Sequence, residues 1–200
     1  MQRSDSAGRR KQGRDPRRQP DPERSTTVEL LIVRHAWAGE RDAEKWPDDR
    51  ERPVPPKGAR RFRRIARVLA RLLPEVDAVW SSPLRRAWQT AEILEKRCGW
   101  PAPRELRALE PGGTAVEVTE ILRPESAGRV VLVGHEPLLS ELITHLTVGP
   151  SDRVILELKK GGAALLSFPE EPGAGKGVLA WLLAPRVVLG LRENRDSETR

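Results

Sequence analysis

Two of the three histidines in this 200-residue sequence directly follow short apolar runs. His35 comes after residues 28–33 and Arg34, and His135 comes after residues 129–134. Both runs are short and rich in β-branched residues, which is typical of strands buried on both faces of a sheet. Because ligands of open α/β sheets bind beyond the carboxyl ends of the strands, these histidines are candidates for a functional site. An imidazole in such a place can act as a nucleophile or exchange protons near neutral pH.

Arginines accompany these histidines and indicate that the ligand is an anion. Arg34 precedes His35, and Arg86 lies near the start of a predicted helix that begins at Ser82. A guanidinium matches phosphate oxygens in a bidentate arrangement and keeps its charge. The N-terminus of a helix adds backbone N–H groups and a positive dipole end. The third histidine, His145, lies among leucines of a predicted helix, and we interpret it as structural.

Strands and helices that could position these residues alternate along the chain. Apolar runs predict strands at 77–80 and 178–184 besides the two above, and helical spacing predicts helices at 59–73, 82–97, 114–122 and after His135. The charged, proline-rich residues 39–58 indicate a long loop. Two more β-type runs, 154–158 and 163–168, flank Lys159-Lys160-Gly161-Gly162, which is a hairpin signal. The pattern predicts an α/β fold with a mainly parallel, mixed central sheet flanked by helices.

Three motifs resemble those of the histidine phosphatase superfamily, which has a phosphoglycerate mutase-like fold. LLIVRHAWAGE resembles its RHG or RHA signature, SSPLRRAWQTAEIL its second motif, and VVLVGHEP its third. Within the superfamily the chain is most similar to SixA-type phosphohistidine phosphatases, over roughly residues 28–192. That similarity rests on the small size, the RHA sequence, the segment RPVPPKG at 52–58, the segment LEPGG at 109–113 and the closing WLLAP at 181–185.

The resemblance implies a catalytic set. His35 matches the nucleophile that becomes transiently phosphorylated. The residues that match the rest of the phosphate pocket are Arg34, Arg86 and His135, and we expect His135 to be protonated there. Arg86 is the motif arginine, and Arg85 is its variable neighbour.

Two further assignments by resemblance are less closely tied to the motifs. Asp49 and Arg52 match a D-x-x-R element whose arginine reaches the phosphate. Glu110 is the nearest candidate for the acid that protonates the leaving group. The alternative for Glu110 is a structural or exposed glutamate without a catalytic role.

The implied function is hydrolysis of phosphohistidine through a covalent intermediate on His35, with no metal and no cofactor. A phosphohistidine-bearing protein is the expected substrate, since a chain without a large cap leaves the site open. The first alternative is a phosphatase of small phosphomonoesters on the same fold. The second is a basic nucleic-acid-binding module, which offers no reason for histidines at two strand ends, so we do not expect a nucleic-acid partner.

Charge and composition predict one domain with two tails. The net charge is +7, and residues 1–26 carry eight Lys or Arg against four Asp or Glu. Because this segment has almost no large apolar residues to bury, we expect a disordered basic tail at 1–26, a histidine phosphatase domain at 27–192 and a disordered tail at 193–200. A lone cysteine, Cys98, and the absence of a long apolar run predict a cytoplasmic protein without a membrane partner.

Overall fold

The computed structural model describes residues 27–123, 128–151, 153 and 156–190. The strands are β1 Val28–Arg34, β2 Ala78–Ser81, β3 Arg104–Glu105, β4 Arg129–Gly134, β5 Ala163–Phe168 and β6 Val178–Leu183. The helices are α1 Pro56–Leu72, α2 Arg85–Cys98, α3 Ala115–Leu122, α4 Leu138–Val148 and α5 Pro185–Gly190, with short 3-10 turns at Asp49–Glu51 and Arg107–Leu109. The tails predicted at 1–26 and 193–200 lie outside the described residues. None of the described helices has the length and apolar character that crossing a membrane requires.

The strands form one mixed sheet in the order β3-β2-β4-β1-β5-β6. β1 is parallel to β4, and β2 is parallel to both β4 and β3. β5 is antiparallel to its two neighbours, β1 and β6. This arrangement confirms the predicted α/β class with a mainly parallel, mixed sheet.

Helices cover both faces of the sheet, which explains why β1 is apolar from Leu30 to Val33. Leu31 and Val33 pack with residues of α1, α2 and α5, whereas Leu30 and Ile32 pack with residues of α3 and α4. Side chains alternate between the two faces along a strand, so both sets become buried. Each such side chain contributes about 1.5–3 kcal/mol when fully buried. The strand that carries His35 at its end is therefore held firmly from both sides.

Two helices begin at residues other than those predicted. α1 begins at Pro56, so the end of the predicted loop 39–58 is helical. Proline suits this position because the first N–H groups of a helix have no partner within the helix. α2 begins at Arg85 and not at Ser82, with Leu84 at the N-cap position. Ser82 is therefore not the helix cap, and its hydroxyl is used near His135 instead.

The hairpin predicted around Lys159-Lys160-Gly161-Gly162 is wrong. Residues 156–158 form no strand, residues 154 and 155 lie outside the described part of the chain, and β5 pairs with β1 and β6. The Gly161 N–H donates to the carbonyl oxygens of Arg34, at 3.2 Å, and His35, at 3.0 Å. Gly161 has a φ of 74°, and a Cβ there would lie 2.9 Å from the Trp37 ring. This segment therefore supports the end of β1.

Candidate active site

His35 and His135 lie side by side at one edge of the sheet. β1 and β4 are parallel neighbours whose register pairs Arg34 with Gly134, so the next residue on each strand is a histidine. The His35 N–H donates to the Gly134 carbonyl oxygen at 3.1 Å. The two ring centres are 5.0 Å apart, and both side chains are buried. The structure thus brings together two residues that are 100 positions apart in the sequence.

The ring of His35 carries its lone pair on Nε2. Its Nδ1 lies 2.7 Å from the carbonyl oxygen of Ala36. Since a carbonyl oxygen only accepts hydrogen bonds, Nδ1 holds the proton and Nε2 is left with the lone pair. Burial lowers the pKa of His35 to about 3, and the charges of Arg86 and Arg34 act in the same direction against the Ala36 hydrogen bond. His35 is therefore neutral at pH 7, as a nucleophile must be.

His135 is also neutral in the pocket by itself, and its protonation beside a bound phosphoryl group stays a prediction. Burial lowers its pKa to about 2, and the neighbouring His35, Arg86 and Arg34 lower it further. Its Nε2 lies 3.0 Å from the hydroxyl oxygen of the fully buried Ser82. A bound phosphate dianion would favour the charged ring. The positive charge on His135 would therefore follow ligand binding.

Arg34 and Arg86 place two guanidinium groups near these rings. Arg86 is only 4% exposed, and Nη1 of Arg34 donates to the Leu158 carbonyl oxygen at 2.7 Å. Among the described residues, the buried Nε atoms of both arginines have no hydrogen-bond partner. A buried N–H group without an acceptor costs about 1–3 kcal/mol, so such groups usually have a functional or structural reason. An anionic ligand would supply the acceptors.

Asp49 binds two arginines, Arg86 and Arg52. Its Oδ2 lies 3.1 Å from Nη1 of Arg86, which also donates to the Asp49 carbonyl oxygen at 2.8 Å. Arg52 donates through Nε to Oδ1 of Asp49 at 2.7 Å and through Nη1 to the Gly39 carbonyl oxygen at 2.6 Å. Slight burial raises the pKa of Asp49, but the hydrogen bond from Arg52 and the charge of Arg86 outweigh it and lower the pKa. The contact of Arg52 with a phosphate stays a prediction.

Glu110 forms an ion pair with Arg50. Its Oε2 lies 2.6 Å from Nη1 of Arg50, and this hydrogen bond raises the pKa of the Arg50 guanidinium. The same contact holds Oε2 of Glu110 against the Arg50 guanidinium. The assignment of Glu110 as the general acid stays a prediction, and the ion pair favours the non-catalytic alternative.

Thr90 organises the site. It lies within the second motif, but the sequence assigns it no role there. Its hydroxyl accepts a hydrogen bond from the Ala36 N–H at 2.9 Å and donates to the Arg86 carbonyl oxygen at 2.6 Å. It therefore links the residue after His35 to α2. Because residues four apart share one face of a helix, the spacing of Thr90 from Arg86 is a signal that could have found it.

The described residues include no group of three or more His, Cys, Asp or Glu side chains that could hold a metal ion. The positive charges that act on His35 are those of Arg86, Arg34 and Lys160. Arg34, Arg86 and the two histidines can bind and position a phosphoryl group by hydrogen bonds and charge.

Residues 30–110 match the family model of the histidine phosphatase superfamily (branch 1). An uncharacterized protein of Picosynechococcus sp. is 35% identical over 138 residues, which are 68% of this chain and 82% of that protein. The chain therefore belongs to the histidine phosphatase superfamily.

Its structure resembles SixA-type members of that superfamily. The protein histidine phosphatase SixA in complex with tungstate aligns with a TM-score of 0.69 and 25% identity, over 80% of this chain and 99% of that one. A SixA structure from Nakamurella multipartitia aligns with a TM-score of 0.64 and 26% identity, over 80% of this chain and 96% of that one. The fold is thus the phosphoglycerate mutase-like fold of the SixA type.

Proposed function

We propose that this protein is a phosphohistidine phosphatase that transfers a phosphoryl group first to Nε2 of His35 and then to water. The observation that carries the proposal is the 2.7 Å contact between Nδ1 of His35 and the Ala36 carbonyl oxygen, which leaves a lone pair on Nε2 of a neutral ring. The related SixA structure was determined with tungstate, an oxyanion similar in shape to phosphate. The buried Arg86 and the half-buried Arg34 beside His35 suit the same class of ligand.

In the first step, the Nε2 lone pair of His35 attacks the phosphorus of the substrate. The bond between phosphorus and the substrate imidazole breaks on the opposite side, and its electron pair leaves with that imidazole. The other ring nitrogen of the substrate carries a proton, so the imidazole departs neutral. Arg34 and Arg86 stabilise the charge on the equatorial oxygens, which is the main source of catalysis in phosphoryl transfer. His135 takes up a proton as the anion binds and adds a third positive charge.

In the second step, a water molecule attacks the phosphorus of phosphorylated His35. The bond between phosphorus and Nε2 breaks, its electron pair returns to His35, and inorganic phosphate leaves as H2PO4− with both protons of the attacking water. The Ala36 carbonyl oxygen accepts from Nδ1 of His35 throughout, so the ring keeps one orientation. Such positioning avoids reorganisation at the moment of reaction.

The ion pair of Glu110 supports phosphohistidine over alkyl phosphates. An alkoxide leaving group needs a proton donor, which typically contributes about 10²–10⁴-fold in rate. An imidazole leaves more easily, because the phosphorus–nitrogen bond is labile once the ring can depart neutral. Since Oε2 of Glu110 is held by Arg50 at 2.6 Å, the site as built suits the leaving group that needs an acid least.

The test compares wild type, His35→Ala and His145→Gln on a phosphohistidine peptide, an aryl phosphate and phosphoserine. We expect His35→Ala to lose on the order of 10³-fold or more of turnover, because no other residue matches the nucleophile of the motif. The wild type should give a phosphoenzyme stable to base and labile to acid, and His35→Ala should give none. His145→Gln is the matched histidine control and should behave as wild type.

Two results would count against the proposal. If His35→Ala kept most of the wild-type turnover, His35 would not be the nucleophile. Efficient hydrolysis of phosphoserine without turnover of the phosphohistidine peptide would instead favour a phosphatase of small phosphomonoesters on the same site.

A further inference from the structure

A groove opens between α1 and α2 beside the active site. Its volume is about 710 Å³. Four basic side chains and one acidic side chain line it, namely Arg60, Arg63, Lys96, Arg97 and Glu92. The groove therefore has an excess of three positive charges.

Three of these cations are available to a partner. Lys96 lies 4.0 Å from Glu92 on the same helix. Arg60, Arg63 and Arg97 form no ion pair with any side chain in the described part of the protein. Arginines that are half-buried or exposed beside apolar side chains, and that lack an internal counter-ion, are suited to bind external carboxylates.

One end of the groove lies near Arg86 along the chain. The Val54 N–H donates to Oε1 of Gln89 at 2.8 Å, and both residues line the groove. Val54 follows Arg52 by two positions, and Gln89 follows Arg86 by three positions on α2. Since a helix rises about 1.5 Å per residue, this end of the groove begins about one turn away from Arg86. A polypeptide with its phosphorylated residue at His35 can extend into the groove.

We propose that this groove binds an acidic segment of the phosphorylated protein substrate, an inference that rests on the function proposed above. The excess positive charge complements carboxylates, and the apolar Val54 and Ile93 between the charges offer contact to the rest of a peptide. A single-stranded nucleic acid fits the groove less well, because none of the lining residues is aromatic and its bases would find no ring to stack on. Charges of this kind mainly raise association rates and select partners.

The experiment uses two phosphohistidine peptides that differ only in a flank of four Glu or four Gln residues. The groove variant is Arg60→Glu/Arg97→Glu. The control variant, Arg71→Glu/Arg186→Glu, has the same change in charge at exposed positions outside the groove. We expect the wild type to prefer the Glu-flanked peptide about tenfold in kcat/KM at low salt, a preference that falls as salt is added.

The groove variant should lose this preference while its kcat/KM for the Gln-flanked peptide stays within about twofold of wild type, which also shows that it folds. The control variant should keep the preference. A wild type without preference for the Glu-flanked peptide, or an equal loss in the control variant, would overturn the proposal.

Binding of a fluorescein-labelled octaglutamate peptide, measured by anisotropy, separates this proposal from the enzymatic one. If neither phosphohistidine peptide is hydrolysed, the proposed function fails, whereas loss of octaglutamate binding in the groove variant alone still supports the groove. A single-stranded oligonucleotide that binds more tightly than octaglutamate would identify a nucleic-acid site and overturn the proposal.

Discussion

The two sides of the candidate site differ in how firmly the protein holds them. On the first side, His35, His135 and Arg86 are at most 6% exposed and lie at strand ends or in the first turn of α2. On the second side, Asp49 and Arg50 lie in a short 3-10 turn, and their side chains are 44% and 51% exposed. The groups that would act on phosphorus are thus fixed by the core, whereas the second side is made of exposed ion pairs that can exchange partners.

This difference predicts unequal effects of substitution. Exposed ion pairs contribute about 0–1 kcal/mol, because water and salt screen them. A buried donor aimed at a developing charge contributes more, and its loss typically costs about 10²–10³-fold in rate. We therefore expect large effects on the buried side and small effects on the exposed side.

Replacing the buried Arg86 with alanine should lower activity far more than replacing its exposed neighbour Arg85. We expect a loss of about 10²-fold or more in kcat/KM for phosphohistidine, since a donor to the transferred phosphoryl group disappears. Arg85→Ala is the matched control, because Arg85 is 48% exposed and lies 3.8 Å from Glu51. It should change kcat/KM by less than about threefold. Equal losses in the two variants would mean that burial does not decide which arginine acts.

The buried histidines should make stability depend on pH. The folded protein lowers the pKa of His35 to about 3 and of His135 to about 2, from an ordinary value of 6.5. Below pH 6.5 the unfolded chain therefore binds more protons than the folded protein. The free energy of unfolding should fall by about 1 kcal/mol per pH unit for each histidine as the pH decreases, whereas above pH 6.5 these groups contribute no such slope.

Urea unfolding between pH 6.5 and pH 5 measures this slope above the range in which carboxylates titrate. The double variant His35→Gln/His135→Gln should show a flatter dependence, and the His145→Gln control should keep that of wild type. An unchanged slope in the double variant would show that the two histidines accept protons in the folded state.

Asp49→Asn tests the exposed side. The Asp49 carboxylate occupies hydrogen-bonding capacity of Arg86 that a phosphate would also use. Its removal should lower the inhibition constant of inorganic phosphate by about 3- to 10-fold, equivalent to roughly 1 kcal/mol at a half-exposed site. Asp48→Asn is the matched control, because Oδ1 of Asp48 accepts from the Arg50 N–H. If Asp49→Asn weakened phosphate binding, Asp49 would be needed to position Arg86.

The sequence predicts the buried side of the site well because its signals are local. An apolar run that is buried on both faces identifies β1 and β4, and the motif residues follow directly at their ends. The neutral state of His135 does not follow from the sequence, since its pKa depends on how deeply the completed fold buries the ring. The sequence thus predicts where a residue lies better than which charge it carries.

Contacts between distant segments and very short elements are the features that the sequence does not reveal. Gly161 supports Arg34 and His35 from more than 120 positions away, which no turn pattern reveals. Ser82 looks like a helix cap but contacts His135, 53 positions later. The two-residue strand Arg104–Glu105 and the six-residue α5 are too short for a periodic pattern.

Glu110→Gln should give the smallest effect, and its dependence on the leaving group decides the role of this residue. Because Arg50 holds Oε2 of Glu110 in an ion pair, we expect Glu110 not to act as the proton donor, so phosphohistidine turnover should change by less than about twofold. Turnover of aryl and alkyl phosphates should change equally little. If Glu110 is the acid instead, the loss in kcat/KM should be greatest for alkyl phosphates and shrink as the pKa of the leaving group falls. Arg50→Gln provides the control, since it removes the same ion pair but keeps the carboxyl group. Improved hydrolysis of alkyl phosphates in Arg50→Gln, absent from the double variant Arg50→Gln/Glu110→Gln, would show that the exposed side holds a suppressed acid.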